Sequence, residues 1–259
     1  MLAKYLVAAL MIFTFKAQAE IKTEVIDYQQ GDTKLQGYLA YDTNLSGKRP
    51  GILIVHDWSG MGEYVKQRAR EMAGKGYVAF AADIYGKDVH PTTPDEMGKL
   101  AGKYKADRKL LRERAKAGYE VIAKNKSVDS KKIVAIGYCF GGTTVLEMGR
   151  AGLPLAGIAS FHGGLANPSP QDAKNIKAKV LVMHGALDTF VSPEEVAAFQ
   201  KEMNEAGIDY QFISYSGAVH AFTIPTAGSN IKSGIAYNAA ADRRSMQAFM
   251  DFMKEVAPN

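Results

Sequence analysis

The run KKIVAIGYCFGGTTVLEMGR, residues 131–150, constrains the fold more than any other. Its first half is a continuous apolar strand ending at Tyr138. Its second half, from Gly141, has helical spacing. Between them the chain must reverse direction within a few residues, and glycines stand at positions 137, 141 and 142. A strand with no polar face, turning directly into a helix, belongs to a mostly parallel sheet covered on both sides.

The rest of the chain repeats that alternation. Buried-type strands are read at 51–56, 77–82, 155–161, 178–184 and 208–215, and amphipathic helices near 63–75, 94–104, 107–125 and 192–206, with a last helix at 234–255. Ser192 is a good N-cap, with Pro193 at the first helical position and Glu195 where a capping box needs its acid. EVIDYQ and KLQGYLAYD bracket QGDT and read as an antiparallel hairpin at the sheet's edge. No Pro/Ser-rich linker or repeat interrupts the pattern. The expectation is one α/β domain over residues 20–259, with helices on both faces.

Residues 1–19 stand apart. A basic Lys4, an apolar run from Tyr5 to Phe15, and Ala-Gln-Ala at 17–19 have the layout of a secretory signal peptide cleaved after Ala19. The apolar run is shorter than the roughly 20 residues needed to span a bilayer. An N-terminal anchor or a buried helix is the alternative; the expectation is an exported, periplasmic or secreted chain beginning at Glu20, a monomer, with no membrane association after cleavage. Loss of Lys4 and Lys16 lowers the formal charge from +5 to +3. The most basic segment, KADRKLLRERAK at 105–116, carries an apolar face and reads as a solvated helix. Nothing there resembles a nucleic-acid footprint.

The chain has one cysteine, Cys139, and it lies at the reversal. A lone thiol in an exported chain cannot form an internal disulfide and is open to oxidation. Composition alone favours a buried structural cysteine. The local sequence favours another reading. Strand, Gly137-Tyr138-Cys139-Phe140-Gly141, helix is the G-x-nucleophile-x-G elbow with Cys in place of Ser. Such a turn lifts the side chain above the sheet at a helix N-terminus, where free N–H groups and the helix dipole stabilise a thiolate. The Phe140 N–H then points to where an oxyanion would form. A Gly-rich packing turn and a phosphate loop are the alternatives. The second lacks a Walker lysine and the regular glycine spacing of a dinucleotide fingerprint.

An elbow of this class predicts an acid and then a histidine downstream, each after a late strand. VLVMHGALDTFVSPEE supplies Asp188 and YSGAVHAFTIP supplies His220. Asp83, at another strand end, reads as a loop cap. His56 and His184 read as orienting or packing groups, His162 as a rim residue and His90 as a loop residue. Their spacing does not match a metal site, and no metal is expected. Trp58, Tyr85, Tyr138 and Phe222 are candidates for an aromatic mouth, with packing under loops as the alternative.

Over nearly the whole mature chain these residues resemble the dienelactone hydrolase family of α/β-hydrolases. The resemblance rests on GYLAY, HDWSGMGEYVKQRAREMAGKGYVAFAADIYGK, GYCFGG, HGALDTFVSPE and VHAFTIP. It implies Cys139 as nucleophile, His220 as general base, Asp188 as its orienter, and an oxyanion hole from the N–H groups of Phe140 and Trp58. It implies no cofactor. Asp57 stands where family enzymes acting on dienelactone have a glutamate that contacts the resting thiol. Lys87 and Ile224 stand where those enzymes hold the substrate carboxylate with arginines. The expected activity is hydrolysis of a small carboxylic ester or lactone. A thioesterase, a carbohydrate acetyl esterase and a redox-sensing thiol protein are the rivals.

Overall fold

The computed structural model describes residues 19–258, so the leader read at 1–19 lies almost wholly outside the described residues. One eight-stranded sheet organises the chain. Its strands are β1 (Ile21–Gln30), β2 (Thr33–Asp42), β3 (Arg49–Val55), β4 (Val78–Ala82), β5 (Val128–Tyr138), β6 (Gly157–Phe161), β7 (Lys179–Gly185) and β8 (Tyr210–Tyr215), in the order β1-β2-β4-β3-β5-β6-β7-β8. β1 and β2 form the antiparallel hairpin, β2 pairs antiparallel with β4, and every pairing from β4 to β8 is parallel.

Among the described residues six α-helices cover the sheet: α1 (Glu63–Gly74), α2 (Pro94–Ala106), α3 (Arg108–Ala123), α4 (Phe140–Arg150), α5 (Pro193–Ala206) and α6 (Ala239–Val256). Side chains alternate across the strands, so each strand feeds two cores. Leu53 and Val55 join a core with Leu111 and Ile122 of α3, Val145 of α4 and Phe199 of α5. Ile52 and Ile54 join the opposite core with Met72 of α1 and Phe249 of α6. That double burial is why the strands read as unbroken apolar runs.

The last helix begins five residues later than its sequence pattern indicates. Residues 234–238 are drawn over the end of β8: His220 N donates to Gly234 O and Ala236 N to His220 O, both at 3.1 Å. Asn238 then caps α6 by accepting from Ala241 N at 3.1 Å. At α5 only half the expected box forms. Ser192 Oγ accepts from Glu195 N at 3.2 Å, but the Glu195 carboxylate accepts from Leu165 N and Ala166 N instead. A full box closes α2, between Thr93 and Glu96.

The basic segment at 105–116 is not simply a solvated face. Arg112 of α3 bonds the buried carboxylate of Glu147 on α4 at 2.8 Å and Asp172 at 2.7 Å. Glu147 also pairs with Arg150 at 3.0 Å, and Arg150 reaches Glu202 of α5 through two bonds of 2.9 and 2.7 Å. Both side chains of the Glu147–Arg150 pair are fully buried. Three helices are tied behind the sheet by charge as well as by apolar contact.

Candidate active site

In sheets of this kind ligands bind beyond the carboxyl ends of strands, where the chain order reverses direction across the sheet. Here β3 and β5 are neighbours and their connections leave to opposite sides, with Val55 in register with Gly137. Trp58 follows β3 and Cys139 follows β5, so the topology brings the two loops together.

The glycines around Cys139 are there because backbone occupies the space a side chain would need. A Cβ on Gly137 would lie 2.1 Å from Gly141 O, and one on Gly141 would lie 2.2 Å from Val55 O. Gly142 serves helix–sheet approach, since its Cβ would meet Ser160 Oγ at 2.5 Å and Gly163 Cα at 2.7 Å. Cys139 itself sits at φ 53°, ψ −112°, a left-handed region that costs a non-glycine residue energy and marks sites where geometry is imposed. Its N–H is held by Phe161 O at 3.0 Å and His162 Nδ1 at 3.2 Å.

Asp188 and His220 meet it there. Asp188 Oδ2 lies 2.8 Å from His220 Nδ1, and His220 Nε2 lies 3.0 Å from Cys139 Sγ. Asp188 Oδ1 accepts from Phe190 N at 2.8 Å, so both carboxylate oxygens are occupied and the side chain cannot swing away. Because the carboxylate accepts from Nδ1, the other ring nitrogen faces sulfur. Burial opposes a charge on His220, but the Cys139 thiolate and the Asp188 carboxylate outweigh it and push the imidazole up to about 10. Replacing Cys139 with alanine removes the first of those two supports. In that variant His220 titrates below its wild-type value, as an imidazole NMR titration measures; an unchanged value would show that the thiolate is not the cause.

The N–H groups of Trp58 and Phe140 donate to no backbone acceptor among the described residues. Tyr85 Oη donates to Trp58 O at 3.1 Å and so supports the Trp58 loop from beneath. His56 stacks near Phe140 at 5.8 Å, and Asp83 caps its own loop by accepting from Tyr85 N and Gly86 N, both as the sequence pattern indicates. No group of three His, Cys, Asp or Glu side chains among the described residues is arranged to hold a metal ion.

Several candidates lie elsewhere. Tyr138 is fully buried among α1 and α6 side chains, stacked on Phe161 at 4.8 Å, because the residue before Cys139 points to the sheet face opposite α4. Phe222 is also fully buried, packed on His162 at 5.1 Å and Tyr215 at 5.5 Å. Neither lines a mouth. Tyr85 is buried under the site rather than open to it. Lys87 turns away: its N–H bonds Lys34 O in β2, and its Nζ pairs with Asp27 of β1 at 2.8 Å. Asp57 Oδ1 accepts from Ser59 N at 2.7 Å and Ser59 Oγ at 2.5 Å, and no hydrogen bond joins Asp57 to Cys139. Its shorter side chain closes its own loop. His162 is not at the rim but fully buried beneath Cys139. Burial first, then the charge of nearby His220, hold it neutral and well below the ordinary range. With Nδ1 accepting from Cys139 N–H, its Nε2–H donates to Thr223 Oγ1 at 2.8 Å.

Beside His220 opens a cavity of about 250 Å³, walled by Trp58, Phe190 and Ile235 and bordered by Gly98, Ala101 and Gly102 of α2. Its one lysine is Lys105, on α2. A larger hollow of about 660 Å³ lies behind Asp188 and does not reach the thiol. Neither Phe190 nor α2 stood out in the sequence. Phe190 lies two residues past Asp188 with its ring exposed, 5.1 Å from His220, and that closeness to the acid was the available signal.

The family model of the dienelactone hydrolases matches residues 35–257. The chain belongs to the dienelactone hydrolase family. It is thus a hydrolase of the lactone and ester class. It is 29% identical over 210 residues to a putative carboxymethylenebutenolidase of Aquifex aeolicus, spanning 77% of this chain and 86% of that one. It is 26% identical over 213 residues to a probable 2-oxo-3-(5-oxofuran-2-ylidene)propanoate lactonase of Bradyrhizobium, spanning 78% and 85%. Among solved structures, a dienelactone hydrolase-like promiscuous phosphotriesterase from metagenomic libraries superposes with a TM-score of 0.88 at 37% identity, covering 92% of this chain and 99% of the other. A putative dienelactone hydrolase of Klebsiella pneumoniae, 18% identical with a TM-score of 0.79, shares the fold over 91% of this chain and 99% of its own.

Proposed function

We propose that this dienelactone hydrolase family member cleaves small carboxylic esters or lactones through Cys139, His220 and Asp188. The observation that carries the proposal is the continuous contact from Asp188 through His220 to a thiol mounted on a strained elbow. His220 takes the thiol proton, and the Asp188 carboxylate on Nδ1 steadies the imidazolium that forms. The thiolate attacks the carbonyl carbon. The oxygen, now negative, sits between the N–H groups of Trp58 and Phe140. His220 returns its proton to the departing alkoxide, leaving a thioester on Cys139. The thiolate charge is then gone, so His220 falls toward neutrality and can accept a proton from water. Hydroxide attacks the thioester and the thiolate is restored.

A protein that only sensed oxidants would need neither the histidine nor the oriented acid. Thioesters and carbohydrate acetyl esters suit the same machinery, and a substrate panel separates them. The test is hydrolysis of p-nitrophenyl acetate, small lactones, an acyl thioester and an acetylated sugar. Turnover of the oxygen esters or lactones at the higher kcat/KM supports the proposal; turnover of none overturns it.

We also propose that the protein is a monomer exported with cleavage after Ala19. No helix among the described residues is long and apolar enough to cross a membrane. Cleavage there makes the Glu20 nitrogen a free ammonium, 3.0 Å from Asp42 Oδ1 at the end of β2. Protein recovered from the periplasm or medium begins at Glu20 on N-terminal sequencing and elutes at monomer size. A chain that retains Met1 contradicts the export reading.

A further inference from the structure

Helix α2 carries two interior glycines, Gly98 and Gly102, on the face toward the cavity beside His220. Interior glycine weakens a helix by about as much as a good N-cap strengthens it, so two of them need a reason. Elsewhere the reason is packing. A Cβ on Gly118 of α3 would lie 2.7 Å from Ala82 Cβ, and one on Gly149 of α4 would lie 2.4 Å from Ile158 Cδ1. At Gly98 and Gly102 a Cβ would meet nothing within 4 Å. No neighbour requires these glycines; both are exposed and border the open edge of the cavity. The helix that bears them is secured by the Thr93–Glu96 capping box and by Pro94 in its first turn.

The cavity is placed for one part of the substrate. It is lined by His220, the group that hands a proton to the leaving alkoxide in the mechanism above, and by Trp58, and it lies next to Cys139 without being lined by it. An alkoxide oxygen within reach of His220 Nε2 directs the rest of the leaving group into that space. The lining is Trp58, Phe190, Ile235 and the glycine face, apolar except at Lys105 and His220. About 250 Å³ is below the range of drug-sized pockets and suits a single ring system.

We propose that Gly98 and Gly102 hold open a leaving-group pocket, and that this enzyme acts on esters whose alcohol part is an aromatic or similarly bulky apolar ring. The proposal rests on the Cys139–His220 reading above. The test is kcat/KM for two acetates differing in the alcohol, 2-naphthyl and ethyl, and two ethyl esters differing in the acid, acetate and hexanoate. They are measured on wild type, Gly98→Leu, Gly102→Leu and Cys139→Ala. Filling the pocket lowers the 2-naphthyl to ethyl acetate ratio by about tenfold or more in each leucine variant, and leaves the hexanoate to acetate ratio within about threefold. Equal loss on all three esters, or a loss that follows the acid, overturns the pocket assignment. Activity persisting in Cys139→Ala overturns the mechanism instead, so the two failures are distinguishable. Gly98→Ala and Gly102→Ala each raise the melting temperature by about 2–4 °C if open space and not packing explains the glycines. A lowered melting temperature would mean the backbone there needs glycine, and would remove the argument for the pocket.

Discussion

Replacing Cys139 with alanine abolishes ester hydrolysis, with kcat falling by about four orders of magnitude or more. The site offers no second nucleophile: the Cys139 side chain is what His220 Nε2 faces at 3.0 Å. His220→Ala gives a loss of the same order, because the thiol then has no adjacent base. The double variant is scarcely worse than either single one, since the residues act as one unit. Asp188→Asn leaves folding intact but lets the imidazole take either tautomer, and costs less than removing His220 itself. The measurement is steady-state hydrolysis of p-nitrophenyl acetate alongside circular dichroism and a melting curve. Unchanged rates in folded Cys139→Ala would remove the triad from the mechanism.

The second large effect is on stability. Glu147→Ala destabilises the protein by about 3–5 kcal/mol, because it leaves fully buried Arg150 and partly buried Arg112 facing a gap where a carboxylate was. For a chain of this size that is a fall in melting temperature of about 6–20 °C. The exposed pair Lys99–Asp95 on α2 provides the contrast: Lys99→Ala shifts stability by less than about 0.5 kcal/mol. Urea unfolding of both variants checks the difference. If Glu147→Ala behaves like Lys99→Ala, the network is not holding the helices together. Glu147→Leu with Arg150→Met and Glu202→Leu, which removes the buried charges together and leaves Arg112 paired with Asp172, recovers much of the loss, since a buried ion network stabilises little against an apolar replacement.

The elbow was legible because its chemistry is local. Reversal from strand to helix in a few residues leaves no room for Cβ atoms at 137 and 141, and that demand is written in the sequence as glycine. Asp188 and His220 were legible because each follows an apolar strand whose end the pattern marks. The errors fell where a side chain's direction depends on a neighbour distant in sequence. Tyr138 and Phe222 are as aromatic as Trp58, yet alternation along β5 and the turn after β8 send them into the core. Lys87 sits at a strand end, but β4 lies one strand outside the switch point, and its loop is drawn to β2 by Lys34. The start of α6 was missed because backbone bonds from His220 hold residues 234–236 out of a helix that their local pattern would allow.

By itself, then, the sequence determined the layered α/β arrangement, the elbow at Cys139 and the order of cysteine, aspartate and histidine along the chain. Each follows from short-range sterics or from the period of apolar residues. The tertiary structure alone decided which aromatic rings line the cavity beside His220, that Asp57 closes its own loop, that His162 lies neutral beneath Cys139, and that α2 turns Gly98 and Gly102 toward that cavity. These depend on which elements become neighbours when the sheet assembles, and that is a property of packing between distant segments, with no trace in the spacing of any one of them.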